Sequence, residues 1–195
     1  MRIQNIFLSM FALATFVACS NDDDTSNPEV QEEVSPLVGS WQIASQAGAL
    51  AVGEAAGNYG WWSLSAEDVG ARACLLDDTY TFNADGSFEN QMGDATWVEG
   101  WQGAEAEGCA AAVAPHDGSN AGTWSADDAT ITINGRGSFL VLAKVHNTGE
   151  DGNPANNTIT YNYTLNSAGT ELEITISGWL ADVPAATWYY KLVKQ

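Results

Sequence analysis

The stretch TITYNYTLNSAGTELEITIS, Thr158 to Ser177, decides the fold. Ile159, Tyr161, Tyr163 and Leu165 fall on one side of an extended chain, with Thr160, Asn162 and Thr164 opposite. Ser167-Ala168-Gly169 turns the chain, and Leu172, Ile174 and Ile176 repeat the alternation. Successive side chains of a strand point to opposite faces, so a period of two buries one face and wets the other. The stretch therefore reads as a pair of strands with an apolar side toward a core.

Working outward, the same pattern recurs. Upstream, Thr79-Tyr80-Thr81-Phe82 alternates, Asn83-Ala84-Asp85-Gly86 turns the chain, and Ser87-Phe88 returns it, with glycine at a left-handed position. Gly122 to Ser125 and Ala129 to Ile133 make another pair about Asp127-Asp128. Gly39-Ser40-Trp41-Gln42-Ile43 is a first strand, and Trp188, Tyr190 and Leu192 mark a last one. Gly137 to Val145, apolar from Phe139 to Ala143, is suited to a buried strand. Gly48 to Gly60, Ala104 to Gly122 and His146 to Asn157 read as loops. The helix expected is a short one over Ser63 to Val69, with Ser65 as cap and Asp68 completing a capping-box pattern. Short strands with turn signals in succession predict an all-β domain, either an up-and-down barrel or a two-sheet sandwich. A last strand able to pair back with the first favours the barrel.

The N-terminus is set apart. Arg2 precedes a short apolar segment, Ile3 to Val17, which ends in Phe16-Val17-Ala18-Cys19. A small residue before a cysteine resembles the lipobox of bacterial lipoproteins, which implies a signal peptide over residues 1–18 and a lipid on Cys19. Ser20-Asn21-Asp22-Asp23-Asp24 resembles the surface-export signal of Bacteroidota lipoproteins. Residues 19–36 are polar and acidic, contain Pro28 and Pro36, and read as a tether to a single domain over residues 37–195. The expected location is the outer membrane, lipid-anchored and exposed at the cell surface.

With Cys19 assigned to lipid, Cys74 and Cys109 remain, and in an oxidising compartment a lone pair is most simply a disulfide. Six Lys plus Arg stand against 25 Asp plus Glu, a formal net charge of −19. Such a surface repels phosphates, which excludes nucleic acid and anionic headgroups as partners. Neutral polymers and cations are compatible with it. Asp77, Asp78 and Asp85 raise calcium as a cofactor, although turn chemistry accounts for them and the spacing of an EF-hand is missing. No other cofactor or metal is expected.

The chain lacks Gly-x-Ser-x-Gly, His-Glu-x-x-His and a phosphate loop, so a non-catalytic role is expected. Trp61, Trp62, Trp97 and Trp101 cluster among glycines and acids, with Glu99 between the last two and Gln102, Asp94 and Asn90 nearby. An indole face packs against the C–H face of a sugar ring, and carboxylates and amides bond its hydroxyls. Trp97, Glu99, Trp101, Trp61, Trp62 and Gln102 are therefore the candidate ligand-binding residues. Tryptophan is also a common core residue, and Trp41, Trp124 and Trp188 lie in strand contexts that suit a core.

Residues 59–118, YGWWSLSAEDVGARACLLDDTYTFNADGSF…WVEGWQGAEAEGCAAAVAPHDG, with AKVHNTGEDGNPANNTITYNYTL further on, carry a resemblance. They resemble a recurrent domain of marine Bacteroidota surface proteins, similar to domains that accompany family 16 β-glucanases in polysaccharide-utilisation loci. The phrase LVGSWQI resembles the opening strand of lipocalin-like domains, where a Gly-x-Trp closes the end of the barrel. These resemblances imply polysaccharide capture, of β-glucan for example, beside other glycan-uptake proteins. Two other functions fit the sequence: a lipocalin-like carrier of a small apolar ligand, and a structural or docking subunit of an uptake complex.

Overall fold

The computed structural model describes residues 34–195. The expected signal peptide over residues 1–18, Cys19 and most of the expected tether lie outside the described residues.

In chain order the elements are β1 (Gly39–Ile43), β2 (Leu50–Gly53), β3 (Trp62–Ser63), α1 (Ala66–Ala71), α2 (Ala73–Leu76), β4 (Thr79–Phe82) and β5 (Ser87–Gln91). Then come β6 (Thr96–Val98), a single 3₁₀ turn (Gly100–Gln102), β7 (Gly108–Ala110), β8 (Gly122–Ala126) and β9 (Thr130–Asn134). The chain finishes with β10 (Val145–His146), β11 (Gly149–Glu150), β12 (Thr158–Leu165), β13 (Glu171–Ser177) and β14 (Thr187–Lys194).

Strands β1, β4, β5, β8, β9, β12, β13 and β14 pair in that order, all antiparallel, and β14 pairs back onto β1. The result is a closed eight-stranded, lipocalin-like up-and-down barrel, and closure removes the free edges that a sandwich would keep. The closing register, Trp41 opposite Lys194 and Ile43 opposite Leu192, continues where β2 takes over along the same edge, with Leu50 opposite Tyr190. Between them residues 45–48 loop out, and Lys191 bonds both flanks: its N–H donates to the carbonyl of Ala49 at 2.8 Å and its carbonyl accepts from Ala44 at 2.9 Å.

The two ends of the barrel differ. At one end the strands are joined by the tight turns 83–86, 127–129 and 166–170, and both Gly39 and Lys194 lie there. At the other end emerge all the long insertions, residues 44–78, 92–121 and 135–157, and the shorter 178–186. The closed end is sealed by Trp41, fully buried, whose indole N–H donates to the Leu37 carbonyl at 2.8 Å and carries the Lys194 ammonium 5.3 Å from its ring centre. Gly39 is needed there: its φ is +132°, and a Cβ would meet the Lys194 side chain at 2.8 Å.

An eight-stranded barrel is just wide enough for its own side chains to fill it. Tyr80, Phe82, Ile131, Ile133, Tyr161, Leu172, Ile174, Ile176, Tyr190 and Leu192 do so, each fully buried. The Gly137 to Val145 run completes the filling, but as an irregular plug rather than the expected strand. Phe139, Leu140, Val141 and Leu142 are buried, and barrel side chains together with the segment's own turns, rather than a neighbouring strand, satisfy the backbone. Leu140 N–H donates to the Tyr161 hydroxyl at 3.0 Å, and the Phe139 carbonyl accepts from the Asn90 amide at 2.7 Å. Val141 takes a φ of +66°, which breaks any strand at its centre.

A second correction concerns Gly48 to Gly60. Leu50–Gly53 is a strand with all four residues buried, not part of a loop. Its outer face is covered by its own return, since a Cβ on Gly53 would collide with the Asn58 carbonyl, so no alternation betrays it. The predicted hairpins over β4–β5, β8–β9 and β12–β13 are present.

Candidate functional site

The insertions meet over the open end of the barrel. The first carries the short helix, whose capping box forms as the sequence predicts: Ser65 Oγ accepts from Asp68 N–H at 3.1 Å, and Asp68 Oδ2 accepts from Ser65 N–H at 3.0 Å. The helix ends at Arg72, which is also the residue before α2, so its side chain projects from the joint between two short helices. Its guanidinium lies 3.8 Å from the centre of the Trp97 ring and 5.4 Å from that of Trp62.

The Cys74–Cys109 disulfide forms, with a Cα–Cα distance of 5.9 Å. Cys74 is on α2, two residues after Arg72, and Cys109 is on β7, directly opposite Trp97 in the β6–β7 ladder. The staple thus ties the helix that carries Arg72 to the hairpin that carries Trp97. It positions the site as well as stabilising the domain.

Glu99 stands at the end of β6, only 8% exposed. One carboxylate oxygen accepts from Trp101 Nε1 at 2.8 Å and the other from Lys144 Nζ at 3.0 Å. Its own N–H donates to Gln102 Oε1 at 3.0 Å, so Gln102 holds the turn. Trp97 and Trp101 therefore occupy different elements, one a strand and the other the 3₁₀ turn. Trp101 stands edge-on to His116, 5.3 Å between ring centres, and His116 is edge-on to Phe139 of the plug. Burial holds the His116 imidazole below the usual histidine range.

Trp61 and Trp62 point apart. Trp61 is 45% exposed and edge-on to Trp179 at 6.5 Å. Trp179 and Trp62 each lie 6.3 Å from Trp188. Trp61, Trp179, Trp188 and Trp62 therefore run as one aromatic belt along the rim, and Arg72 extends it to Trp97.

Inside this belt is an open-sided cavity of about 220 Å³, lined by Leu50, Trp62, Arg72, Glu99, Glu107, Leu142, Lys144 and Trp188. Lys144 sits over Trp188 at 5.6 Å. The cavity brings together Trp62 and Glu99 from the predicted set. Trp97 forms its outer support through Arg72, Trp101 and Gln102 hold Glu99, and Trp61 lies outside along the belt. Sequence reasoning missed Arg72, Lys144, Glu107, Trp179 and the cavity-facing role of Trp188. Arg72 had a usable signal, as a lone cation in a stretch otherwise made of tryptophans, glycines and acids. Lys144 had none, because the plug that delivers it read as a strand.

The indole N–H groups also differ between the two ends. Trp41 and Trp124 at the closed end donate to backbone carbonyls, Leu37 at 2.8 Å and Asn83 at 2.9 Å. At the rim, the buried N–H groups of Trp97 and Trp179 find no acceptor among the described residues, and that of Trp188 is directed toward the Glu150 carboxylate. Buried polar groups without a partner are uncommon and mark places where a ligand or solvent completes the bonding.

The acids considered for calcium do not converge. Asp85 accepts from the N–H and hydroxyl of Ser87, a turn; Asp78 is buried against the Thr96 hydroxyl; Asp77 ends α2. Among the described residues no group of three or more His, Cys, Asp or Glu gathers as a metal cage, and no helix is long and apolar enough to cross a membrane. No known protein family, curated protein or solved structure matches the chain.

Proposed function

We propose that this protein is a non-catalytic, surface-anchored lipoprotein that captures polysaccharide, and that the cavity bounded by Trp62 and Trp188 holds the sugar. The observation that carries the reading is the meeting of indole faces with charged hydrogen-bonding groups in one open-sided cavity. Trp62 and Trp188 offer apolar faces, while Arg72 and Lys144 donate and Glu99 and Glu107 accept. Drug-sized pockets run to about 300–1,000 Å³. A cavity of about 220 Å³ suits one sugar ring, so the protein engages a chain end or a side branch.

The filled interior argues against the carrier alternative, because side chains and the plug occupy the space where a lipocalin-type ligand would sit.

The test is an affinity gel or glycan array spanning neutral β-glucans, galactans and uronate polymers, run with the wild type and Trp62→Ala. The expected outcome is retention of at least one polymer class and a loss of roughly tenfold or more in the variant, the scale of one stacked aromatic contact. Absence of binding across the whole panel would sink the reading in favour of a docking subunit.

A further inference from the structure

We infer that the cavity is built for an acidic sugar, and that Arg72 is the residue that reads its carboxylate. This rests on the glycan-binding reading of the same cavity and names the class of ligand.

The argument starts from how few cations the domain has. The described residues contain five, Arg72, Arg136, Lys144, Lys191 and Lys194, among a large excess of acids, yet two of the five line one cavity. Lys144 is engaged with Glu99, and Lys191 with Glu171. Arg72 forms no ion pair and no side-chain hydrogen bond among the described residues, although Glu107 lines the same cavity. A guanidinium presents five N–H donors in a fixed planar fork. In Arg72 that fork is half-buried, with Trp97 at 3.8 Å and Trp62 at 5.4 Å. Stacking on aromatic faces is a favourable way to hold a guanidinium, and it leaves the N–H edge for in-plane bonding.

Asp68, one helical turn earlier, feels the Arg72 charge but does not come within ion-pair distance, so the fork at the wall of the cavity is arranged for an acceptor from outside. The geometry that satisfies a fork best is a planar pair of oxygens, a carboxylate bound by two parallel N–H···O bonds. A further observation agrees. Lys144 donates only one of its three N–H bonds to Glu99, which leaves donors for the same ligand group. The occupant is thus a sugar ring that stacks on Trp62 and bears a carboxylate, a uronic acid residue. The acidic exterior disfavours a long polyanion, so the preference is read at a single carboxylate, where the bidentate contact is direct and the charges beyond about 8–10 Å are screened in physiological salt.

The test uses short oligosaccharides of matched length, since these avoid avidity: an oligouronate, its carboxyl-reduced neutral counterpart, a neutral β-glucan oligomer and a sulfated galactan oligomer. Titration calorimetry is run on the mature domain, Arg72→Gln and Arg72→Lys, each checked by circular dichroism. The expected result is oligouronate binding at least tenfold tighter than its reduced counterpart. Arg72→Gln should abolish that preference, and Arg72→Lys, which keeps the charge but loses the fork, should recover only part of it. Equal affinity for the oligouronate and its reduced form, an unchanged preference in Arg72→Gln, or a stronger preference for the sulfated oligomer would overturn the inference while leaving glycan binding standing. Failure of every oligosaccharide to bind would remove the underlying reading as well.

Discussion

Asp78 has no exposed surface, and among the described residues only one of its carboxyl oxygens finds a partner, the Thr96 hydroxyl. Burial pushes its carboxyl up to about 8. In the unfolded chain the group ionises near 3.8, so between there and about 8 the folded state holds a proton that the unfolded state releases. Stability from this site is therefore complete below the lower value and is lost as pH rises through the upper one. Asp78→Asn should remove that slope, raising stability at pH 8 by roughly 1–3 kcal/mol and changing little at pH 3.5. Urea denaturation across pH measures it; a variant with the wild-type pH slope would show that Asp78 is not the group responsible. At this scale the sequence was readable where chemistry is local. Ser65 and Asp68 announce their own capping box, and Asp85 its own turn. It was opaque where a role depends on distant neighbours: nothing beside Arg72 in the chain foretells two indoles arriving from residues 62 and 97, and nothing marks Asp78 as buried among its acidic neighbours.

Among elements, the plug and the staple matter most. The plug replaces what would be a cup, and it delivers Lys144 to the rim. Its backbone depends on barrel side chains, so Tyr161→Phe leaves the buried Leu140 N–H without an acceptor and should cost about 1–3 kcal/mol. A lower urea midpoint at unchanged m-value would register this. An unchanged midpoint would mean that the plug is held by packing alone. The disulfide closes a loop with a sequence separation of 35, for which chain entropy gives about 3–4 kcal/mol. Cys74→Ser/Cys109→Ser should lose that stability and weaken glycan binding too, because Trp97 and Arg72 are then no longer tied. Stability loss with full affinity would confine the bond to a structural role. Period-two alternation made β4, β5, β8, β9, β12 and β13 legible, since each has one wet face. The same rule failed for Leu50–Gly53 and for Phe139–Leu142, which are covered on all sides; burial without alternation cannot distinguish strand from loop.

At the level of the whole molecule, the barrel is polar in its organisation. Tight turns, the entry of the chain and the satisfied tryptophans Trp41 and Trp124 occupy one end; every long insertion, the aromatic belt and the cavity occupy the other. The eight residues of β14, at about 3.3 Å each, separate them by roughly 25 Å. That separation provides internal controls. Each of the eight tryptophans contributes one indole N–H signal to a ¹H–¹⁵N spectrum. The direct measurement is titration of the mature domain with an oligosaccharide retained in the affinity screen, following those eight signals. Glycan capture at the rim predicts saturable shifts for Trp62, Trp97 and Trp188, with Trp41 and Trp124 unmoved. Shifts centred on Trp41 or Trp124, or no saturable shift with any oligosaccharide of the panel, would contradict it.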